Sequence, residues 1–240
     1  MSDQKKSSIA KPDSQRSIEE FLKKTEKLPA RSSTGQPGRL IFAMDATASR
    51  AATWDIACDL QGQMFTQTNE LGGLEIQLVY FRGHRECKAS KWVSQSPQLL
   101  RLMSSVTCLA GRTQIERVLK HALNEVKHAE VNALVYVGDS MEESLDSLGD
   151  LAGQLKLCGV PLFLFQEGDD LVAENAYQQL AQISGGAHCR LDHQSAKQLG
   201  ELLRAVAIYA AGGRQDFDRY CRLAGPLTRR IGSQLGGTLR

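Results

Sequence analysis

GRLIFAMDATASR, residues 38–50, is an apolar run that stops abruptly at Asp45. Thr47 and Ser49 follow that carboxylate at alternate positions, with single alanines between. The run reads as a buried strand. An ionised carboxylate closing such a strand is costly unless something pairs with it. Arg50, on the following segment, is the one nearby base in the sequence. The small spacers leave room beside the three oxygens, so the stretch points to a group seated against them.

Outward from this stretch the pattern alternates. Residues 50–71 read as a helix and LEIQLVYF (74–81) as a strand. A weaker strand, KASKWV (88–93), follows the polar stretch RGHREC, which suits a hairpin. Pro97 opens a short helix. Between Thr113 and His128, Ile115, Val118, Leu119, Ala122 and Val126 fall on one helical face. VNALVYVGD (131–139) and VPLFLFQ (160–166) show little alternation, as strands buried on both faces do. Helices are expected over 144–158 and 171–184, a last strand near 187–191, and a closing helix striped by Leu199, Leu202, Leu203, Val206 and Ala210. That helix is expected to stop at Gly212-Gly213. Strands alternating with helices indicate an α/β chain with a mainly parallel, doubly wound sheet.

Before this unit, residues 1–16 are polar throughout, without the pattern of a signal peptide. Ser17-Ile-Glu-Glu20 is a capping box that starts a helix over about 17–28, and LPARSSTGQPG has the composition of a linker. The division expected is therefore an N-terminal extension (1–38), one domain (39–212) and a basic C-terminal tail (213–240).

The 240 residues carry a net charge of +2. Residues 1–40 hold nine Lys/Arg against five Asp/Glu, and residues 213–240 six against two. The body between them is acidic. Neither tail has the basic density that tracks phosphates, which argues against nucleic acid. No run is long enough for a membrane span. Six cysteines are scattered without a CxxC pair, consistent with reduced, mostly buried thiols in a cytoplasm.

In a doubly wound sheet, ligands bind beyond the carboxyl ends of the strands where strand order reverses. The connections to inspect there are Asp45-Ala-Thr47-Ala-Ser49, Ala110-Gly111-Arg112-Thr113 and Gly138-Asp139-Ser140. Together they offer carboxylates from Asp45 and Asp139 and hydroxyls from Thr47, Ser49 and Thr113. All are hard oxygen donors, which suit Mg²⁺, Mn²⁺ or Ca²⁺ better than zinc or copper. A cation with so few charged ligands stays electrophilic and can accept an outside Asp or Glu. Each position also has a plainer reading. Thr113-Gln-Ile-Glu116 and Ser140-Met-Glu-Glu143 are capping boxes, Ser49 could cap the following helix, and Asp139 could meet a helix dipole. The five histidines fall at no metal spacing, and His121 and His128 read as an exposed stripe.

DATAS resembles the DxSxS motif of von Willebrand factor A domains, with Thr47 for the first serine. The threonine of GRT (111–113) and the aspartate of GDS (138–140) are similar to that family's second-loop and third-loop residues. The resemblance covers about residues 39–212 and is to a bacterial-type, cytoplasmic member. It implies a six-stranded sheet of order 3-2-1-4-5-6 with one antiparallel strand and helices on both faces. It implies a metal-ion-dependent adhesion site (MIDAS), with Thr47 and Ser49 ligating directly and one or both aspartates through water. The function implied is a metal-dependent protein-interaction module, not an enzyme.

Two other classes compete. A Mg²⁺-dependent phosphoryl-transfer enzyme could use Asp45 as nucleophile, but the acid/base position two residues on is Thr47, which cannot serve. GxxxxGK[ST] is absent, and no general base accompanies the site. An RNA-binding scaffold could use the basic tails, but these lack the interleaved aromatics that stack on single strands.

Overall fold

The computed structural model describes residues 37–51, 73–191 and 196–223. The helix expected over 17–28, the linker, and nearly all of the helix expected over 50–71 lie outside those residues. Six strands form one sheet: β1 Gly38–Asp45, β2 Leu74–Arg82, β3 Glu86–Ala89, β4 Ala133–Gly138, β5 Leu162–Glu167 and β6 Ala187–Leu191. Their order is β3-β2-β1-β4-β5-β6, and every pairing is parallel except β2 with β3. The fold class and strand order are those expected.

The helices are α1 Ser96–Ser104, α2 Ile115–Val126, α3 Leu145–Leu157, α4 Leu171–Ser184 and α5 Ala196–Leu223. Successive strand residues point to opposite faces, so β1 feeds two cores. Leu40, Phe42 and Met44 pack with Leu99 and Met103 of α1 and Leu203, Val206 and Tyr209 of α5. Ile41 and Ala43 join Ile115, Val118 and Leu119 of α2, Leu148 and Leu155 of α3, and Tyr177 and Leu180 of α4. Both faces of the sheet are covered. That is why β1, β4 and β5 show no polar alternation. Each large apolar side chain so buried contributes roughly 1.5–3 kcal/mol relative to exposure.

Three elements depart from the sequence reading. β3 ends at Ala89, not at Val93. The Ser90 hydroxyl accepts the Leu78 N–H at 3.0 Å, taking the place of a backbone carbonyl, and pairing resumes only as an isolated bridge between Ile76 and Val93. The closing helix does break at Gly213 (φ 71°) but resumes and runs to Leu223. Tyr220 on the resumed segment packs against the core, which gives that segment a reason to fold back. Among the described residues the thiols are not mostly buried: Cys189 is buried, Cys87 and Cys108 are half-buried, and Cys158 is exposed. No helix among the described residues is long and apolar enough to cross a membrane.

Candidate metal site

β1 and β4 are sequence-distant neighbours, and strand order reverses between them. Both are parallel, so their carboxyl ends open at the same edge of the sheet. Asp45 closes β1 there. It is fully buried, and its Oδ1 accepts the Thr47 N–H at 2.7 Å. Its Oδ2 is buried and has no hydrogen-bond partner among the described residues. A buried acceptor left unmatched costs about 1–3 kcal/mol, more when charged.

The chain then turns through Thr47 into a single 3₁₀ turn, Ala48–Arg50, with Arg50 N–H bonded to the Thr47 carbonyl at 3.0 Å. This turn brings the Thr47 Oγ1 and Ser49 Oγ within 3.1 Å of each other. Thr47 is buried and Ser49 exposed, so the pair leads from the Asp45 carboxylate to solvent. Thr47 stands at the cap position of the turn without making a side-chain cap bond, which leaves its oxygen available.

The second connection is tied to the first by the Leu109 N–H, which donates to the Ala46 carbonyl at 3.0 Å. It carries Thr113, buried at 6% exposure. Thr113 is not the cap of α2. Its Oγ1 accepts the Glu142 N–H at 3.1 Å, while its own N–H donates to the Glu142 carboxylate at 3.2 Å. Neither of the two capping boxes in the sequence forms. Glu143 instead reaches across and caps α2, accepting the Ile115 N–H at 2.6 Å and the Glu116 N–H at 2.9 Å. α3 starts later, at Leu145, with Ser144 before it. Glu143→Ala is expected to lower stability by about 2 kcal/mol, read as a lower urea midpoint, because two helix-end donors lose a charged acceptor.

The third connection follows β4. Asp139 is half-buried, with the Ser140 hydroxyl 3.3 Å from its Oδ1. The Tyr177 hydroxyl donates to the Ser140 carbonyl at 2.7 Å and holds this turn from below. Gly138 lies against Tyr136: a Cβ there would stand 2.6 Å from the phenol oxygen, so no larger residue could seat the turn this way. Burial pushes the Asp45 carboxyl up to about 6, against its hydrogen bonds to Thr47, and the charge of Asp139 pushes in the same direction. Burial likewise raises both tyrosine hydroxyls.

Asp45, Thr47 and Ser49 are thus joined by direct contacts. Asp139 lies close enough for its charge to act on Asp45, and Thr113 is bonded to the loop that follows Asp139. All five donors are oxygens, and the one unmatched buried atom among them is the Asp45 Oδ2. A divalent cation fits that set. Beyond these five, sequence reasoning passed over Glu142 and Tyr177, read Glu143 only as the close of a local capping box, and left Arg50 undefined; the parts of the first three here are contacts across loops. Arg50 is buried at 1% exposure and forms an ion pair with Glu167 at 3.1 Å. His121 is half-buried, not part of an exposed stripe, and bonds Gln77 at 2.7 Å. His188 is buried against Gln166.

Solved structures resemble this fold. The SpRpn10 VWA domain aligns with 71% of this chain and 95% of its own, at TM-score 0.53 and 13% identity. The fold is that of a von Willebrand factor A domain. A VWA protein from Catenulispora acidiphila matches 74% of the chain and 43% of its own length (TM-score 0.55, 12% identity). Proximal thread matrix protein 1 from the mussel byssus, solved with a zinc-occupied MIDAS motif, matches 73% and 46% (TM-score 0.53, 16% identity). The chain therefore spans nearly all of the first of these and under half of the other two. No protein-family model matches the sequence, and no curated protein matches it. The VWA likeness is one of backbone.

Proposed function

We propose that this chain is a metal-dependent protein-interaction module whose cation sits among Asp45, Thr47, Ser49, Thr113 and Asp139. The observation that carries the reading is the buried, unmatched Oδ2 of Asp45 at the crevice of a VWA fold. A divalent cation would supply the missing partner and present a Lewis-acidic position to solvent. Thr47, Ser49 and Thr113 offer it hydroxyls, and the two aspartates hold it directly or through water. A partner protein's Asp or Glu completes the coordination. In this reading residues 39–212 are the binding domain, 1–38 and 213–240 its extensions, and the protein works in the cytoplasm without catalysing a reaction.

Hard oxygen donors favour Mg²⁺ or Mn²⁺, with Ca²⁺ next. The mussel protein was solved with zinc in such a motif, so zinc belongs in the test. Capture of partners on the immobilised chain in Mg²⁺ is expected to be reversed by EDTA and absent for Asp45→Ala. Retention unchanged by chelator would defeat the reading. In parallel, Mg²⁺, Mn²⁺, Ca²⁺ and Zn²⁺ titrations followed by thermal unfolding rank the cations by the stabilisation each gives.

A further inference from the structure

The segments that carry the site differ in charge. Residues 82–120 carry eight Lys/Arg against two Asp/Glu, a balance of +6, inside a body that is acidic as a whole. Residues 139–174 carry nine Asp/Glu against one lysine. The first segment includes the β2–β3 hairpin and the loop that bears Thr113. The second includes Asp139 and the β5–α4 connection. The candidate metal site lies at the seam.

The basic side is built against the site. The hairpin turn and the Thr113 loop meet at two glycines: a Cβ on Gly111 would lie 2.3 Å from the Gly83 carbonyl oxygen. Gln114 spans the hairpin, donating to the Arg82 and Glu86 carbonyls at 3.4 Å each. Arg82 is committed, bound to the Thr107 carbonyl and hydroxyl and to Glu86. Lys88 and Lys120 are likewise paired, with Glu86 and Glu116. Arg85, Arg112 and Arg117 have no carboxylate partner among the described residues, and all three are exposed. Arg117 donates to the Arg85 carbonyl at 2.6 Å, and Arg85 sits at φ 61°, where glycine would be easier. That left-handed conformation is a strained one for an arginine. It keeps the guanidinium on the hairpin turn, and Arg112 is chain neighbour to Thr113.

We propose that Arg85, Arg112 and Arg117 form a docking rim for an acidic segment of a protein partner. One carboxylate of that segment completes the metal, and the flanking Asp/Glu residues lie over the three arginines. The proposal rests on the metal reading above and specifies the partner's chemistry. Three exposed arginines without a carboxylate partner among the described residues match a short acidic peptide. A polynucleotide needs a longer basic track and would run its phosphates onto Asp139 and Glu142; of the carboxylates beyond, Glu167 is paired with Arg50, and Asp169 and Glu174 with Arg190.

The test uses the full chain and fluorescent peptides carrying one metal-binding glutamate followed by a run of glutamates or of glutamines. An oligouridylate is the competing ligand. In Mg²⁺ at low salt the glutamate-run peptide is expected to bind at least about tenfold tighter than the glutamine version, the gap narrowing as salt rises. Arg85→Gln/Arg112→Gln is expected to erase that gap while keeping the Mg²⁺ shift in melting temperature, and the triple Glu reversal to invert it. Equal binding of both peptides by the wild type overturns the proposal. So does a double variant that keeps the gap, or oligouridylate bound more tightly than the peptide with the same arginine dependence. Failure of the metal reading is seen separately, as a wild type whose melting temperature ignores divalent cations. The arginine dependence of glutamate-run binding in EDTA then still decides the rim.

Discussion

Arg50→Met is expected to destabilise the chain by about 3–5 kcal/mol, the usual loss when one partner of a buried ion pair is removed. Arg50 is 1% exposed and its Nη1 lies 3.1 Å from the Glu167 Oε2 at the end of β5. Methionine roughly preserves the aliphatic volume, so packing changes little. What is lost is the countercharge to Glu167, together with one that favours ionised Asp45. The position matters more than the pair itself. Arg50 ends the turn that aligns Thr47 with Ser49, and the ion pair ties that turn to a strand two places away in the sheet. The double variant Arg50→Met/Glu167→Gln is expected to recover much of the loss, because Glu167 is then no longer a charge without its partner. Urea unfolding of the single and double variants measures this. A loss below about 1 kcal/mol in the single variant would mean that water reaches the pair and that it does not anchor the loop.

The fold was legible because burial on both faces leaves a mark no other element makes. VNALVYV and VPLFLF lack polar alternation, and in the structure residues 133–137 and 162–165 are buried to the last side chain. The candidate positions could be picked out for a related reason. Oxygen-bearing side chains at the ends of otherwise apolar strands have little structural purpose there, and the parallel sheet brings those ends to one edge. What could not be read were contacts between loops. Thr113 and Glu116, three apart before an apolar run, satisfy the local rule for a capping box, yet Glu143 holds the α2 terminus and Thr113 turns to the Glu142 amide. A local rule sees only one chain segment, and a carboxylate from the next loop can win because two well-directed amides accept it. Ser90 is the same case in the sheet: its hydroxyl ends β3 through a bond to Leu78, which strand propensity does not register. Arg50 was seen only as a nearby positive charge, since its partner Glu167 lies more than a hundred positions along the chain.

Asp45→Asn is expected to make the chain more stable in chelator at neutral pH and indifferent to divalent cations. The Asp45 carboxyl is raised to about 6 from an ordinary value of 3.8, chiefly by burial. The folded chain therefore keeps a proton that the unfolded chain gives up. Stability in chelator falls as pH rises from about 4 to about 6 and stays lower above, by something of the order of 3 kcal/mol. Asparagine keeps an oxygen to accept the Thr47 N–H, and its amide replaces the oxygen that has no partner. It carries no charge to desolvate, so this fall should disappear. The cation needs the ionised carboxylate, so Mg²⁺ stabilisation of the wild type should be slight at about pH 4.5 and grow through pH 6. It should reach about 2.7 kcal/mol when the ion is present at a hundred times its dissociation constant. Thermal unfolding of both chains across that pH range, in EDTA and in Mg²⁺, contains the whole argument. If the variant kept the wild-type response to Mg²⁺, the ion would lie elsewhere. If the variant proved less stable than the wild type in EDTA at neutral pH, the lone Oδ2 would be matched by a group that favours its charge. The trade expected is the one common to binding sites: a carboxylate that weakens the empty domain is kept because the occupied one depends on it.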